Sequence, residues 1–152
     1  MSADCRLTLT VRPARNAEEV SAARRLRVRV FCEEQRVSRA DELDELDAEA
    51  LHVVALDQTG VIATCRLRFV EGGCKLERMA VERRLRGLGA GGRLLEEAER
   101  IARERGAEAM VLHSQTRVRD FYEANGYRPE GELFMEAGIE HVRMSKPLGE
   151  DS

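Results

Sequence analysis

Two hydrophobic periods alternate along this chain, and the switches between them mark its elements. Leu7, Leu9 and Val11 occupy alternate positions, which predicts an opening strand that Pro13 ends. Asn16 followed by Glu19 fits a capping box, so a helix is expected from about Ala17 to Gln35, although Leu26, Val28 and Val30 alternate as a strand would. Leu51 to Leu56 and Val61 to Val70 read as strands around an Asp57-Gln-Thr-Gly60 turn, and Glu71-Gly-Gly73 turns the chain into a further strand ending at Val81. Leu94, Leu95, Ala98, Ile101 and Ala102 then form a stripe at helical spacing that stops at Gly106. Ala109 to His113 reads as a short buried strand. Thr116 is expected to cap a short helix that carries Val118, Phe121 and Tyr122 on one face and ends at Gly126. Two strands around Glu136-Ala-Gly138 complete the pattern, with Pro147 stopping the last. Residues 1–147 are expected to form a single domain and 148–152 a frayed tail.

Composition narrows the function classes. At 152 residues with 43% hydrophobic and 35% charged positions, the chain has a core of ordinary size. The 25 basic and 28 acidic residues leave a net charge of −3, which disfavours nucleic acid as a general partner. No apolar run reaches the roughly 18 residues of a membrane span, and the N-terminus lacks an apolar signal core, so a cytoplasmic protein without a membrane partner is expected. Cys5, Cys32, Cys65 and Cys74 form no CxxC pair and read as reduced structural thiols. Three scattered histidines give a metal site no support, and none is expected. Asp41-Glu-Leu-Asp-Glu-Leu-Asp47 reads as a short acidic helix or loop, solvated or placed over a site, and the wider acidic run from Glu33 to Asp47 is expected to attract a cationic partner.

The most informative stretch is Arg86-Gly-Leu-Gly-Ala-Gly-Gly92, because it joins a strand to a helix. That order gathers backbone N–H groups and the positive end of a helix dipole around one volume suited to a diphosphate. Gly87, Gly89 and Gly92 satisfy GxGxxG, but they come late, after strands that look antiparallel, and no acidic residue ends the following strand to hold a ribose. A P-loop fails because no Gly-Lys-Ser/Thr follows. A purely structural role, tight strand-to-helix packing, leaves the surplus of glycines and the neighbouring Arg84, Arg86 and Arg93 unexplained.

Read in the register Arg86-x-x-Gly89-x-Gly91, with Asp120-Phe-Tyr-Glu-Ala-Asn-Gly-Tyr127 downstream, the chain resembles the GNAT superfamily of acyl-CoA-dependent N-acyltransferases over most of its length. Leu26-Arg27, Val30-Phe31, Glu34-Gln35, Asp44, Asp47, His52, Gly138-Ile-Glu-His141 and Met144 are similar to its ElaA-like group, some of whose members carry glycine where Glu77 stands. The resemblance implies an α/β (α+β) fold, a mixed and mostly antiparallel central sheet flanked by helices. It also implies acetyl-CoA as co-substrate and a small-molecule or protein amine as acceptor.

Carried onto this sequence, the family pattern assigns the diphosphate to Arg84 and to the backbone of Arg86, Gly87, Leu88, Gly89, Ala90, Gly91 and Gly92. The pantetheine arm and the oxyanion go to the backbone of Met79, Ala80 and Val81, and Tyr122 becomes the general acid. A lysine-like acceptor also needs to lose a proton, at a cost of about 4 kcal/mol near neutral pH. Glu34 and Glu77 are the leading base candidates, with His52 and His113 behind them, and His141 is expected to be structural. Two other readings stay open: a non-catalytic acyl-CoA-binding module, and a transferase of longer acyl chains. A homodimer through terminal strands is a further expectation.

Overall fold

The computed structural model describes residues 8–42 and 44–149. Strand β1 (Thr10–Pro13) leads into helix α1 (Ala17–Arg27), which continues as wider π-helical turns over Val28–Glu34. A short α2 (Arg39–Glu42) and a 3₁₀ turn (Glu45–Ala48) precede β2 (Leu51–Asp57), β3 (Gly60–Val70) and β4 (Gly73–Val81). A 3₁₀ turn (Arg83–Leu85), α3 (Ala90–Glu104), β5 (Ala109–Gln115), α4 (Arg119–Ala124), β6 (Arg128–Glu136) and β7 (Ile139–Pro147) follow. The mixed α/β architecture is the expected one: seven strands in the order β1-β2-β3-β4-β5-β7-β6, antiparallel everywhere except between β4 and β5.

Local chemistry accounts for most boundaries. Asn16 accepts from the Glu19 N–H at 2.9 Å, but Glu19 turns its carboxylate to Arg12 and the Arg15 N–H, so only half the capping box forms. The strand-like Leu26/Val28/Val30 spacing falls where α1 widens into π turns, and Leu26 and Val30 face Ala80 of β4 together. Thr116 is not the expected cap: it lies inside a 3₁₀ turn (Thr116–Val118), its hydroxyl donates to Glu140, and no side chain caps α4. Ala137 and Gly138, both at positive φ, make the tight β6–β7 turn. The opening strand is seen from Thr10; Leu7 lies outside the described residues. Leu148, assigned from sequence to the tail, is buried in the core and donates its N–H to Glu108, while residues 150–152 lie outside the described residues.

Alternation along the strands divides the core in two. Cys65, Leu67, Leu76, Met110 and Leu112 meet the Leu94, Leu95, Ala98 and Ala102 stripe of α3. Cys65 and Cys74 are buried unpaired thiols, with burial pushing Cys74 up to about 12. On the opposite face, β3 carries Arg66 against α1 and the acidic segment. Arg27 and Arg66, both about 1% exposed, pair with Asp47 at 2.8 and 3.0 Å; Arg27 also holds Glu42, and Arg66 holds Asp44 and Glu77. Arg24 adds a third cation on Asp47, and His52 lies beneath it on the Asp47 carbonyl. Within the acidic run, Glu42, Asp44 and Asp47 are thus paired with arginines inside the molecule, while Asp41 and Glu45 are exposed.

Two strand features position the site. Across β3–β4 the register shifts so that Arg78 and Met79 bulge, with Arg78 at φ 56°. Between β4 and β5 the ladder lasts only from Gly73↔Ala109 to Leu76↔Leu112. Gly73 is required at its start, because a Cβ there would stand 2.9 Å from the Ala109 carbonyl oxygen. Past Leu76 the strands part.

Burial alone would raise the Asp47 carboxyl, but hydrogen bonds and charge from Arg27 and Arg66 outweigh it and hold it at about 2, below its ordinary 3.8. Glu77 is likewise held at about 2: burial opposes, and Arg68, Arg66 and Lys75 prevail. Both values are depressed, so their contribution is complete above the unfolded values near pH 4 and is lost as pH falls toward 2. Urea-unfolding midpoints should therefore stay level at neutral pH and drop steeply between about pH 4.5 and 2. Asp47→Asn should cost about 3 kcal/mol, because two buried guanidinium groups lose their shared counter-charge.

Candidate active site

A cleft of about 460 Å³ opens where β4 and β5 part, lined by Glu77, Arg78 and Met79 on one side and Leu112 to Gln115 on the other. Phe31 and Gln35 from the end of the first helix, Tyr122 of α4, and Glu136 and His141 of the β6–β7 hairpin complete its walls. The Gln115 amide donates to Gln35 at 2.7 Å, bridging the helix end to β5. Because the β4–β5 ladder ends at Leu76, the β5-facing edge of Met79, Ala80 and Val81 has no strand partner among the described residues. Ala80 itself is buried against Leu26 and Val30, so what this segment offers a ligand is backbone.

The glycine segment lies beside this edge. Gly87 and Gly89 adopt φ of 81° and 94°, which side-chain-bearing residues rarely hold, and Gly89 is the N-cap of α3. No side chain caps α3 and its first turn has no acidic residue, so the N–H groups of Ala90, Gly91 and Gly92 are left for an outside acceptor. A Cβ on Gly91 would sit 3.4 Å from the Phe121 ring and 3.8 Å from the Met79 sulfur, so the helix start packs directly against α4 and the bulge. Ala90 is buried and Leu88 packs on the core, anchoring the loop from below. This cradle fits a diphosphate, the group by which acyl-CoA would be held.

The arginines divide their roles. Arg86 donates to the Val81 carbonyl at 3.0 Å and pairs with Glu34 at 2.8 Å, stapling the loop to the end of β4 and to the first helix. Arg84 instead reaches Thr59 on the β2–β3 hairpin, and Arg93 reaches the Leu9 carbonyl of the segment before β1.

Tyr122 is buried between Phe121 and Tyr127, with ring centroids 4.9 and 5.8 Å away, and its hydroxyl donates to the Met79 sulfur at 3.7 Å. Burial, with a lesser push from Cys65, raises the phenol well above its usual range. A phenol in that state stays protonated at neutral pH, so the hydroxyl beside the Met79 sulfur carries its proton.

The base candidates separate clearly. Glu34 is engaged by Arg86 and does not line the cleft. Glu77 does line it, but Arg66, Arg68 and Lys75 surround its carboxylate, and at about 2 it is a feeble proton acceptor. His52 is buried beneath the ion-pair network, away from the cleft. His113 and His141 both line the cleft and flank Glu136, a residue the sequence reading did not single out. Glu136 had no local signature, since it meets His113 only through the β5–β7–β6 ladder. Arg66 and Arg78 were missed for the same reason. Glu77→Gln should lower stability by about 2–3 kcal/mol in denaturant melts, because three cations lose one counter-ion. A pure loss of turnover with unchanged stability would contradict this structural role.

Comparisons with known proteins place this architecture. The family model described as "Acetyltransferase (GNAT) domain" matches residues 12–148. A Bacillus subtilis relative, "Uncharacterized N-acetyltransferase YjcF", is 37% identical over 134 residues, covering 88% of this chain and 96% of its own length. A Lactobacillus plantarum crystal structure is similar with a TM-score of 0.86 at 30% identity, over 93% of this chain and 99% of that one. Escherichia coli ElaA shares the fold with a TM-score of 0.79 at 20% identity, over 91% and 98% of the two chains. With its glycine cradle, parted strands and half-sheet hairpin, the chain belongs to the GNAT family of acetyltransferases, which transfer acyl groups from acyl-CoA.

Proposed function

We propose that the protein is a cytoplasmic, single-domain N-acetyltransferase that moves an acetyl group from acetyl-CoA to a primary amine, on a small molecule or a protein, by direct attack. The observation that carries this is the juxtaposition at the parted strands: the uncapped start of α3, the unpaired edge of β4 and the Tyr122 hydroxyl meet around Met79 and Phe121. Acetyl-CoA, when bound, supplies an acyl carbon and a thiolate leaving group.

The residues take complementary tasks. N–H groups of Gly87 to Gly92 receive the diphosphate, each charged hydrogen bond contributing roughly 1.5–3 kcal/mol, and Arg86 fixes the loop that presents them. Backbone N–H groups of the Met79–Val81 segment hold the arm and the developing oxyanion, fixed in place by the bulge. Arg78 locks that bulge by donating to the carbonyls of Asp41 and Glu42 and to Asp44, which binds the β4 edge to the segment covering the cleft. Tyr122 keeps its hydroxyl proton in a site shielded from water and delivers it to sulfur. Glu77 serves by holding Arg66 and Arg68, not by accepting protons.

Calorimetry should detect acetyl-CoA binding to the folded protein, and a thiol-release assay over an amine panel should show turnover. Binding without turnover on any amine would favour a non-catalytic acyl-CoA module, and tighter binding of longer acyl-CoAs would favour the longer-chain transferase. Tyr122→Phe should reduce kcat about a hundredfold with little change in melting temperature. Undiminished kcat in that variant would remove Tyr122 from proton transfer.

A further inference from the structure

Resting on the transferase reading above, we propose that His113 is the catalytic base that deprotonates the acceptor amine, with Glu136 as its positioning residue. His113 Nδ1 lies 2.9 Å from Glu136 Oε1. A carboxylate only accepts, so the proton resides on Nδ1 and the neutral ring presents a bare Nε2. His141 lies on the other side of the carboxylate without bonding to it: its Nδ1 donates to the Ile139 carbonyl at 2.7 Å, and its Nε2 stands 3.8 Å from Glu136 Oε2, beyond hydrogen-bond reach. Phe134 packs edge-on against His113 at 5.0 Å and stacks on His141 at 5.9 Å, holding both rings.

Position selects His113 over its neighbour. It immediately follows Leu112, the last β5 residue paired with β4, so it stands where the strands begin to part. Its side chain is 23% exposed, which gives a captured proton a route to solvent, whereas that of His141 is 8% exposed and turns Nε2 toward Glu136. Of the acids lining the cleft, Glu42, Asp44 and Glu77 are each engaged by arginine, and Asp41 is exposed.

The proton balance is complete. His113 Nε2 takes one proton from the acceptor ammonium, and the freed nitrogen lone pair forms the C–N bond to the acyl carbon. The C–S bond breaks as the sulfur takes the Tyr122 proton, and Tyr122 regains the second proton lost by the new amide nitrogen. The imidazolium beside Glu136 then releases its proton to water. One ammonium and one thioester thus yield an amide, a thiol and one proton.

The charged and titratable groups around His113 are Glu136 of β6, His141 of β7, Arg143 of β7 (the register partner of His113), Arg68 of β3, and Lys75 and Glu77 of β4 across the cleft. The test has two arms. In ¹⁵N-histidine-labelled protein, with His113 assigned through the backbone, the neutral ring should show a protonated Nδ1 and a bare Nε2, and Glu136→Gln should mix the tautomers. A protonated Nε2 in the wild-type neutral ring overturns the proposal, whatever the acceptor.

In the second arm, His113→Gln should lose about a hundredfold in kcat at neutral pH, with the acetyl-CoA affinity seen by calorimetry changed less than threefold. For an alkylamine acceptor, its rate should then climb about tenfold per pH unit with the free-amine fraction and approach wild type at high pH. A deficit that stays constant with pH would mark a structural role and overturn the proposal. Failure of the wild type to bind acetyl-CoA would instead overturn the transferase reading, leaving the tautomer result to stand or fall separately.

Discussion

The parting of β4 from β5 governs how this molecule is put together. Four paired positions, Gly73 to Leu76 against Ala109 to Leu112, are enough to join the two halves of a seven-stranded sheet, and the ladder then stops. Unpaired backbone groups in a sheet interior are costly unless water, a side chain or a ligand meets them. The bulge at Arg78 and Met79 bends β4 out of the ladder's path, and Arg78 secures the bend by reaching the Asp41 to Asp44 segment. Separation of the strands and placement of the covering segment are therefore two results of one backbone irregularity.

Electrostatics divides the cleft. Toward β4, Glu42, Asp44 and Asp47 of the covering segment are paired with Arg24, Arg27, Arg66 and Arg78. Such a cluster has little net attraction left for a visiting cation, and its desolvation is balanced only while every partner is present. Toward β5, β6 and β7, the charge is lighter and the groups are titratable: two imidazoles, one half-exposed carboxylate and an aromatic ring between them. The first half fixes geometry, and the second sets imidazole and carboxylate side chains along the cleft wall.

Much of this was legible in the sequence. The glycine turn between a strand and an amphipathic helix announced an uncapped helix start entered through left-handed glycines, and the Phe121-Tyr122 pair announced aromatic rings near it, because each signal is contained within a few consecutive residues. What could not be read was anything created by pairing between distant strands. Glu77 looked like a free carboxylate on a central strand, yet its register partner is Arg66, Arg68 reaches it from the same facing strand, and Lys75 joins from two positions back on its own strand. Glu34 looked catalytic until Arg86, more than fifty positions away, was found against it. The strand-like alternation in the first helix came from π turns, whose spacing no simple helical period describes.

Gly73 shows how far from the chemistry its control can lie. Because a Cβ at Gly73 would stand 2.9 Å from the Ala109 carbonyl oxygen, the paired end of β4 and β5 has no room for a side chain. A single methyl group there would act as a wedge at the apex, and the two halves of the sheet would answer as levers, altering the aperture at the mouth. A position outside the cleft lining thereby bears on how the two strands diverge beyond it.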